Sequence, residues 1–248
     1  MELLLDIGNT HTHVGLMANK QIIDRIELPT KAWENGSMLF LLRGFFQQRP
    51  VDQIGFCSVV PDASKQAKLI LKKEWDTPFE LTYKTIWEIG IDYPSPESVG
   101  NDRLANTIAL AHYYGSPAVA IDFGTAVTFD IVNCQGNYAG GIIAPGLSTM
   151  TSYLHEKTAQ LPCIELREVN SVIGKSTADA MRIGAIHGYR GLIKELLTLI
   201  KQEIGSENFP IVATGGYAEL ISNKIPDILK VDPDLTLKGI YLAMCHSK

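Results

Sequence analysis

The amino-acid sequence predicts an α/β protein made of two related halves, each with a mixed β-sheet flanked by helices. Strand-like and helix-like patterns alternate along most of the chain, which is typical of such sheets. One pattern also occurs twice: an apolar strand ends in an aspartate, an apolar residue and a glycine, and a short turn containing threonine leads into a second strand. The aspartates of the two copies are Asp6 and Asp122. From this repetition we expect half-domains at residues 1–116 and 117–248.

The first half begins with a meander of three strands, because turn residues at Gly8–Thr10 and Asn19–Lys20 separate three apolar runs. Apolar residues at helical spacing, such as Leu41 and Phe45, then indicate helices between further strands. The predicted strands are 2–5, 12–17, 21–28, 54–60 and 79–81, and the predicted helices are 37–48, 62–73 and one from about Asp102 to Gly115.

The second half follows a joint at Ser116–Pro117, where a glycine has just ended the preceding helix. Its strands are predicted at 118–122, 127–132, 138–143 and 211–213, and its helices at 148–155, 177–204, 217–222 and 235–245. Residues 158–176 form an irregular segment. We expect the last helix to close this second half.

Composition limits the possible functions. The 248 residues are 46% hydrophobic, enough for a sizeable core, and carry 22 Lys and Arg against 27 Asp and Glu, a net charge of −5. No basic cluster is present, so a nucleic-acid partner is not expected. No charged leader precedes the first strand and no apolar run has the length of a membrane span, so we expect a cytoplasmic protein without a membrane partner. The four scattered cysteines are interpreted as reduced thiols.

The repeated turn has a chemical interpretation. Glycine allows backbone N–H groups to approach a ligand, and consecutive amides in a turn bind anions. A carboxylate beside such a turn repels phosphate unless a cation lies between them, so Asp6 and Asp122 are interpreted as cation-holding residues, directly or through water. Either turn alone could be an ordinary hairpin. Their repetition favours a phosphate site.

A second candidate site follows the loop at residues 92–103, which delivers Asp102 and Arg103 to the start of a helix. An acidic residue in a first helical turn is often only a favourable partner of the helix dipole. With Arg103 beside it, the pair could instead act as a proton acceptor and a clamp for a substrate carboxylate.

Three further sequence patterns each have a functional and an ordinary structural interpretation. His11 and His13 share one face of a strand, but without a third ligand we interpret them as polar residues beside a nucleotide rather than a metal site. The sequence Ile173–Thr177 resembles half a P-loop, yet Val169 stands where that loop needs a glycine. The glycines of Thr214–Gly216 could expose bare backbone to a ring or phosphate, or form a plain turn.

Six motifs in order resemble those of type III pantothenate kinases, of the actin-like, sugar-kinase superfamily of phosphotransferases. DIGNTHTHVGL resembles the family's first phosphate motif, VGNDRLAN its substrate and catalytic-base motif, and IDFGTAVTFDIV its second phosphate motif. GGIIAPGL, IGKSTADAMRIGAIHGY and TGGYAELI resemble three later motifs. The resemblance runs nearly from end to end of the chain.

The resemblance implies duplicated ribonuclease H-like domains and transfer of the γ-phosphoryl group of ATP to pantothenate, the first step toward coenzyme A. It also implies ATP with magnesium, a monovalent cation (potassium or ammonium) and a homodimer. One departure is Asn101, where many members carry a small residue; we expect a minor effect on pocket shape. The roles implied are ATP binding by Asp6, Ile7, Gly8, Asn9, Thr10, His11, Thr12, His13 and Thr125, pantothenate binding by Tyr93, Gly100, Asn101, Asp102, Arg103 and Thr177, proton acceptance by Asp102, and cation binding by Asp122.

Two alternatives remain. One is an actin-like phosphotransferase with another acceptor, which Tyr93 and the VGNDR motif would distinguish. The other is a non-catalytic regulatory homologue, whose expected sign is loss of Asp102 or of a phosphate-turn aspartate; neither is lost.

Overall fold

The strand that carries Asp6 lies at the centre of a five-stranded sheet. The computed structural model describes residues 1–47, 49–75 and 77–246, and the chain forms two compact units. The first comprises Met1–Gly115, Gly136–Ala139 and the residues from Asp234 onward; the second comprises Ser116–Gln135 and Gly140–Pro233.

In the first unit the strands are β1 (Glu2–Ile7), β2 (His11–Ala18), β3 (Gln21–Pro29), β4 (Gln53–Ser58) and β5 (Phe79–Glu80). Strand β1 pairs antiparallel with β2 and parallel with β4, so the sheet order is β3-β2-β1-β4-β5. Its helices are α1 (Lys31–Glu34), α2 (Met38–Phe46), α3 (Pro61–Glu74) and α4 (Asn101–Tyr114).

The second unit repeats this topology. Its strands are β6 (Ala118–Phe123), β7 (Ala126–Val132), β8 (Tyr138–Pro145), β9 (Ile211–Thr214) and β10 (Lys230–Val231), in the order β10-β9-β6-β7-β8. As in the first sheet, the first strand lies at the centre, antiparallel to the second and parallel to the fourth. The helices are α5 (Leu147–Lys157), α6 (Thr177–Ile204) and α7 (Ala218–Ser222). The predicted duplication of a mixed sheet is therefore confirmed.

Each central strand is buried on both faces, which fixes the position of its aspartate. Leu3, Leu5 and Ile7 of β1 pack with Trp33 and Phe56 on one face, while Leu4 packs against helices on the other. In the second unit the apolar residues of β6 pack against the long helix α6. Because side chains alternate along a strand, burial of these residues sets the direction of Asp6 near the end of β1.

The final helix corrects one expectation. Helix α8 (Leu235–His246) packs against α4 in the first unit rather than closing the second half. A Cβ on Gly239 would lie only 1.9 Å from the carbonyl oxygen of Ala105, and Thr236 donates a buried hydrogen bond to Asn106. An apolar helix pattern shows that one face is covered but not by which sheet, which is why the sequence placed this helix wrongly.

Most other predicted elements lie within a few residues of the observed ones, and the end of the first predicted helix at Gln48 lies outside the described residues. The short elements α1 and β10 were not predicted. The irregular segment 158–176 is held to α6 by Arg182, which donates to the carbonyl of Glu165, and by Arg190, whose guanidinium binds both carboxylate oxygens of Glu168. None of the described helices combines the length and apolarity that crossing a membrane requires.

Candidate active site

Asp6 is the penultimate residue of β1 and lies between β2 and β4. The strand registers place it opposite His13 on β2 and Cys57 on β4. The thiol of Cys57, which is fully buried, donates a hydrogen bond to Asp6 Oδ1 at 3.4 Å. Sequence patterns do not indicate this contact, because 51 residues separate the two positions and the parallel pairing of β1 with β4 brings them together.

Asp102 lies in the first turn of α4, and the backbone around it is shaped to hold its carboxylate. Its Oδ1 accepts a hydrogen bond from the N–H of Arg103 at 2.8 Å. A Cβ on Gly100 would lie 2.5 Å from the same oxygen, so only glycine leaves room for the carboxylate there. Asn101, predicted to contact substrate, donates its side-chain amide to the carbonyl of Ser58 at 3.0 Å and so ties the start of α4 to the end of β4.

Both carboxyl groups have raised pKa values. Burial, followed by the charge of Asp102, raises the pKa of Asp6 to about 7, with the Cys57 thiol opposing this rise. Burial also raises the pKa of Asp102, against the lowering effect of the Arg103 N–H and guanidinium. Burial and the two aspartates raise the pKa of Cys57 well above its usual value, so this thiol stays protonated.

This pair of carboxylates fits a magnesium ion that arrives with a phosphate ligand. Hard carboxylate oxygens suit magnesium, which proteins commonly hold through one or two carboxylates plus substrate phosphates. In the described part of the chain no group of three or more His, Cys, Asp or Glu could hold a metal by itself. The missing ligands would therefore come from phosphate oxygens and water.

The turn between β1 and β2 separates its residues into two groups. Gly8 closes the turn by donating its N–H to the carbonyl of His11 at 3.0 Å, and Asn9 and Thr10 at the tip are exposed. The side chains of Ile7 and Thr12 are fully buried, so these two predicted ATP-binding residues can meet a phosphate only through their backbone. The side chains of His11 and His13 both face Glu27, with Nδ1 to carboxylate oxygen distances of 3.1 and 3.7 Å.

Two predicted acceptor-binding residues meet at Tyr138, which the sequence analysis missed. The Arg103 guanidinium lies over the Tyr138 ring at 5.6 Å, and the Tyr93 ring contacts it edge-on with a centroid separation of 6.0 Å. Backbone hydrogen bonds of Tyr138 with Gly90 and Asp92 hold the loop that carries Tyr93. Tyr138 looked like an ordinary strand residue because it lies just outside the GGIIAPGL motif and far in sequence from Tyr93 and Arg103.

The remaining predicted residues belong to the second unit. Asp122 is again the penultimate residue of the central strand, and a Cβ on Gly215, which has φ +91°, would lie 2.5 Å from its Oδ1. The first glycine of the Thr214–Gly216 turn is thus required by the aspartate, whereas Gly216 faces open space. Thr125 follows Gly124, and its carbonyl accepts from the Gly146 N–H and the Thr149 hydroxyl.

Thr177 is the first residue of α6. The Ser176 hydroxyl caps this helix by accepting the N–H of Asp179 at 3.1 Å. Thr177 itself is exposed.

The fold resembles that of sugar kinases. A crystal structure of a ROK family glucokinase from Streptomyces griseus, in complex with glucose and AMPPNP, superposes with a TM-score of 0.60, covering 98% of this chain and 99% of that one at 11% identity. At this identity the likeness concerns the fold. It confirms the predicted duplicated, actin-like α/β architecture.

The sequence comparisons are more specific. The family model described as type III pantothenate kinase matches residues 2–199. A type III pantothenate kinase from Methylacidiphilum infernorum is 43% identical over 97% of this chain and 86% of its own length. One from Akkermansia muciniphila is 42% identical over 97% of both chains. The chain belongs to the type III pantothenate kinase family.

Proposed function

We propose that Asp102 accepts the hydroxyl proton of pantothenate while the phosphates of ATP lie along the turn that follows Asp6. The chain is a kinase that phosphorylates pantothenate to 4'-phosphopantothenate, the first step of coenzyme A biosynthesis. The observation that carries the residue assignment is the hydrogen bond from the Asn101 amide to the Ser58 carbonyl. It ties the start of α4, which carries Asp102, to the end of β4, where Cys57 donates to Asp6.

Phosphoryl transfer through a loose transition state demands mainly positioning and neutralisation of charge. The proton acceptor needs only moderate basicity, since the hydroxyl proton leaves late in such a reaction. Burial raises the pKa of Asp102 and so makes its carboxylate a better proton acceptor than a solvent-exposed aspartate. The Arg103 N–H holds that carboxylate in one orientation, and the absence of a Cβ at Gly100 leaves room for it.

Pantothenate carries a carboxylate in addition to the hydroxyl that is phosphorylated, and the residues around Tyr138 suit that carboxylate. In our assignment Arg103 binds the pantothenate carboxylate, because a guanidinium forms charge-assisted bonds to carboxylates. Tyr93 lines the same pocket, supported by its edge contact with Tyr138. Thr177 contributes a hydroxyl at the amino end of α6, where backbone N–H groups favour an anion.

Cations would supply the positive charge that these motifs lack. Magnesium would be held by Asp6, with Asp102 nearby, and by ATP oxygens, and would neutralise the phosphates. We assign the monovalent cation, potassium or ammonium, to Asp122, and ATP contact also to Thr125. The support is the repeated position of Asp122 at the end of a central strand beside a glycine turn.

We further propose a homodimer in the cytoplasm, without a nucleic-acid or membrane partner. Large apolar side chains on the second unit, among them Ile143, Tyr153 and Val172, are more than half exposed, as surfaces that bind another protein often are. The net charge of −5 supports the absence of a nucleic-acid partner. Sedimentation equilibrium of the purified chain tests the dimer, and a monomer at micromolar concentration would refute it.

The decisive experiment measures ADP release with ATP and magnesium, with and without pantothenate, in potassium and then in sodium buffer. We expect release that depends on pantothenate and on potassium. The Asp102→Asn variant should lose about 10²-fold or more in turnover while it still binds ATP and pantothenate, as expected for loss of a general base. Near-normal turnover in this variant would remove Asp102 from that role.

A folded, ATP-binding wild-type protein that released no ADP would instead support the regulatory alternative. Release stimulated by a different acceptor and not by pantothenate would point to another actin-like phosphotransferase.

A further inference from the structure

Thr30, just beyond the end of β3, holds the turn that follows Asp6 at two points. Its hydroxyl donates to the carbonyl of Gly8 at 2.7 Å, and its backbone N–H donates to the carbonyl of Thr10 at 3.0 Å. Thr30 is 3% exposed, so both bonds lie on the protein side of the turn. One buried residue thus fixes the carbonyls on both sides of Asn9.

These two bonds determine where the amides of the turn point. In a trans peptide unit the C=O and the N–H of the next residue point in opposite directions. With the Gly8 and Thr10 carbonyls directed at Thr30, the N–H groups of Asn9 and His11 are directed away from it. Two amide donors therefore point away from Thr30 in a turn whose residues Asn9, Thr10 and His11 are exposed, an arrangement that suits an anion-binding concavity.

A chain of hydrogen bonds fixes the direction in which Thr30 donates. The indole N–H of Trp33 can only donate, and it donates to Thr12 Oγ1 at 3.1 Å. The Thr12 and Thr30 hydroxyl oxygens lie 3.2 Å apart. The Thr30 hydroxyl must donate to the Gly8 carbonyl, because a carbonyl can only accept, and it therefore accepts the hydrogen bond that Thr12 donates. All three side chains are buried, so water does not compete.

We propose that Thr30 is a positioning residue for the phosphates of ATP: through the Trp33–Thr12–Thr30 chain it holds the Asn9 and His11 amides toward the bound nucleotide. This inference rests on the proposed role of the turn in ATP binding. The sequence did not suggest it, because Thr30 is 22 residues from Gly8 and belongs to no recognised motif.

The test compares Thr30→Val, which removes the hydroxyl and keeps the shape, with Thr30→Ser, which keeps the hydroxyl. We expect Thr30→Val to raise the KM for magnesium-ATP by about tenfold, the effect of weakening one hydrogen bond to a charged group, with the KM for pantothenate unchanged. Thr30→Ser should restore most of the wild-type KM. Calorimetry should show weaker binding of ATP and ADP to Thr30→Val but unchanged binding of adenosine, which lacks phosphate.

Thr236→Val is the matched control. Its buried hydroxyl donates to Asn106 at 2.8 Å, so its loss costs a comparable buried bond away from the turn. We expect a lower unfolding temperature with an unchanged KM for ATP. If Thr30→Val shows this same pattern, Thr30 is only structural and the proposal fails.

Trp33→Phe keeps the proposal testable if Thr30→Val does not fold, since it removes only the first donor of the chain. We expect about a threefold weakening of ATP and ADP binding, from loss of one neutral hydrogen bond, and unchanged nucleotide binding would overturn the proposal. The binding measurements also separate the two hypotheses. Wild-type protein that binds ATP without phosphorylating pantothenate would refute the proposed function alone.

Discussion

Replacing Gly100 by alanine should displace the Asp102 carboxylate without unfolding the protein. The added Cβ would lie 2.5 Å from Asp102 Oδ1, whereas ordinary van der Waals contact begins at about 3.4 Å, so that oxygen must move by about 0.9 Å. The backbone angles of Gly100, φ −58° and ψ 135°, suit alanine, and the clash involves the end of a side chain. The carboxylate therefore yields rather than the helix.

A displacement of about 1 Å at a reacting group can cost about 10²-fold in rate. We therefore expect the turnover of Gly100→Ala, measured as ADP release at saturating ATP and pantothenate, to fall about 10²-fold, or about 2.7 kcal/mol in activation free energy. The unfolding temperature should change little. Gly44→Ala, on α2 with no atom within 4 Å of the added Cβ, is the control and should retain full turnover.

A double variant sharpens the test. If Gly100→Ala acts only by moving the Asp102 carboxylate, adding it to Asp102→Asn should cost little more, because both changes remove the same contribution. Full additivity would show that Gly100 acts elsewhere in the pocket. A folded Gly100→Ala enzyme with near-normal turnover would refute the link between the observed carboxylate position and catalysis.

Three further changes test other parts of the site and fold. Arg103→Ala should weaken pantothenate binding, measured by calorimetry, by about 1.5–3 kcal/mol if its guanidinium binds the substrate carboxylate; unchanged affinity would reject that pairing. Asp122→Ala should abolish activation by potassium, and a variant that still responds would place the cation elsewhere. Arg190 holds the pKa of Glu168 down to about 2, below its ordinary 4.5, so the pair stabilises the fold above pH 4.5 and this contribution is lost as the pH falls toward 2. Glu168→Gln should therefore unfold at a lower temperature than wild type at pH 7 but not near pH 2, and a difference independent of pH would contradict this.

The sequence indicated those parts of the candidate site that lie within single stretches of chain. Asp6 and Asp122 were recognised because each is followed by its glycine turn, and Asp102 because Gly100 and Arg103 stand beside it. The partners that hold these residues come from elsewhere. Cys57 reaches Asp6 through the β1–β4 pairing, Thr30 follows β3 and contacts the turn after Asp6, and Tyr138 of β8 contacts Arg103. Such contacts depend on strand order and register, which local patterns do not specify.

The inability of local patterns to specify packing partners also explains why the last helix was assigned to the wrong half. Helix α8 has an ordinary apolar face, and its position in the first unit depends on the close approach of Gly239 to Ala105. A glycine inside a helix is compatible with many packing partners, so its purpose became visible only in the structure.

Both aspartate turns have carbonyls that a threonine hydroxyl and a backbone N–H hold, which accounts for how a phosphate site could need few basic side chains. In the first unit the hydroxyl and N–H of Thr30 hold carbonyls of the turn after Asp6. In the second, the Thr149 hydroxyl and the Gly146 N–H both hold the carbonyl of Thr125, which directs the N–H of Ala126 the opposite way. Each turn thus presents oriented amides, which attract phosphate without carrying a full charge. Oriented dipoles cannot neutralise several phosphate charges. In the proposed function the cations assigned to Asp6 and Asp122 do so, and removing those cations should weaken ATP binding more than any single basic-residue substitution.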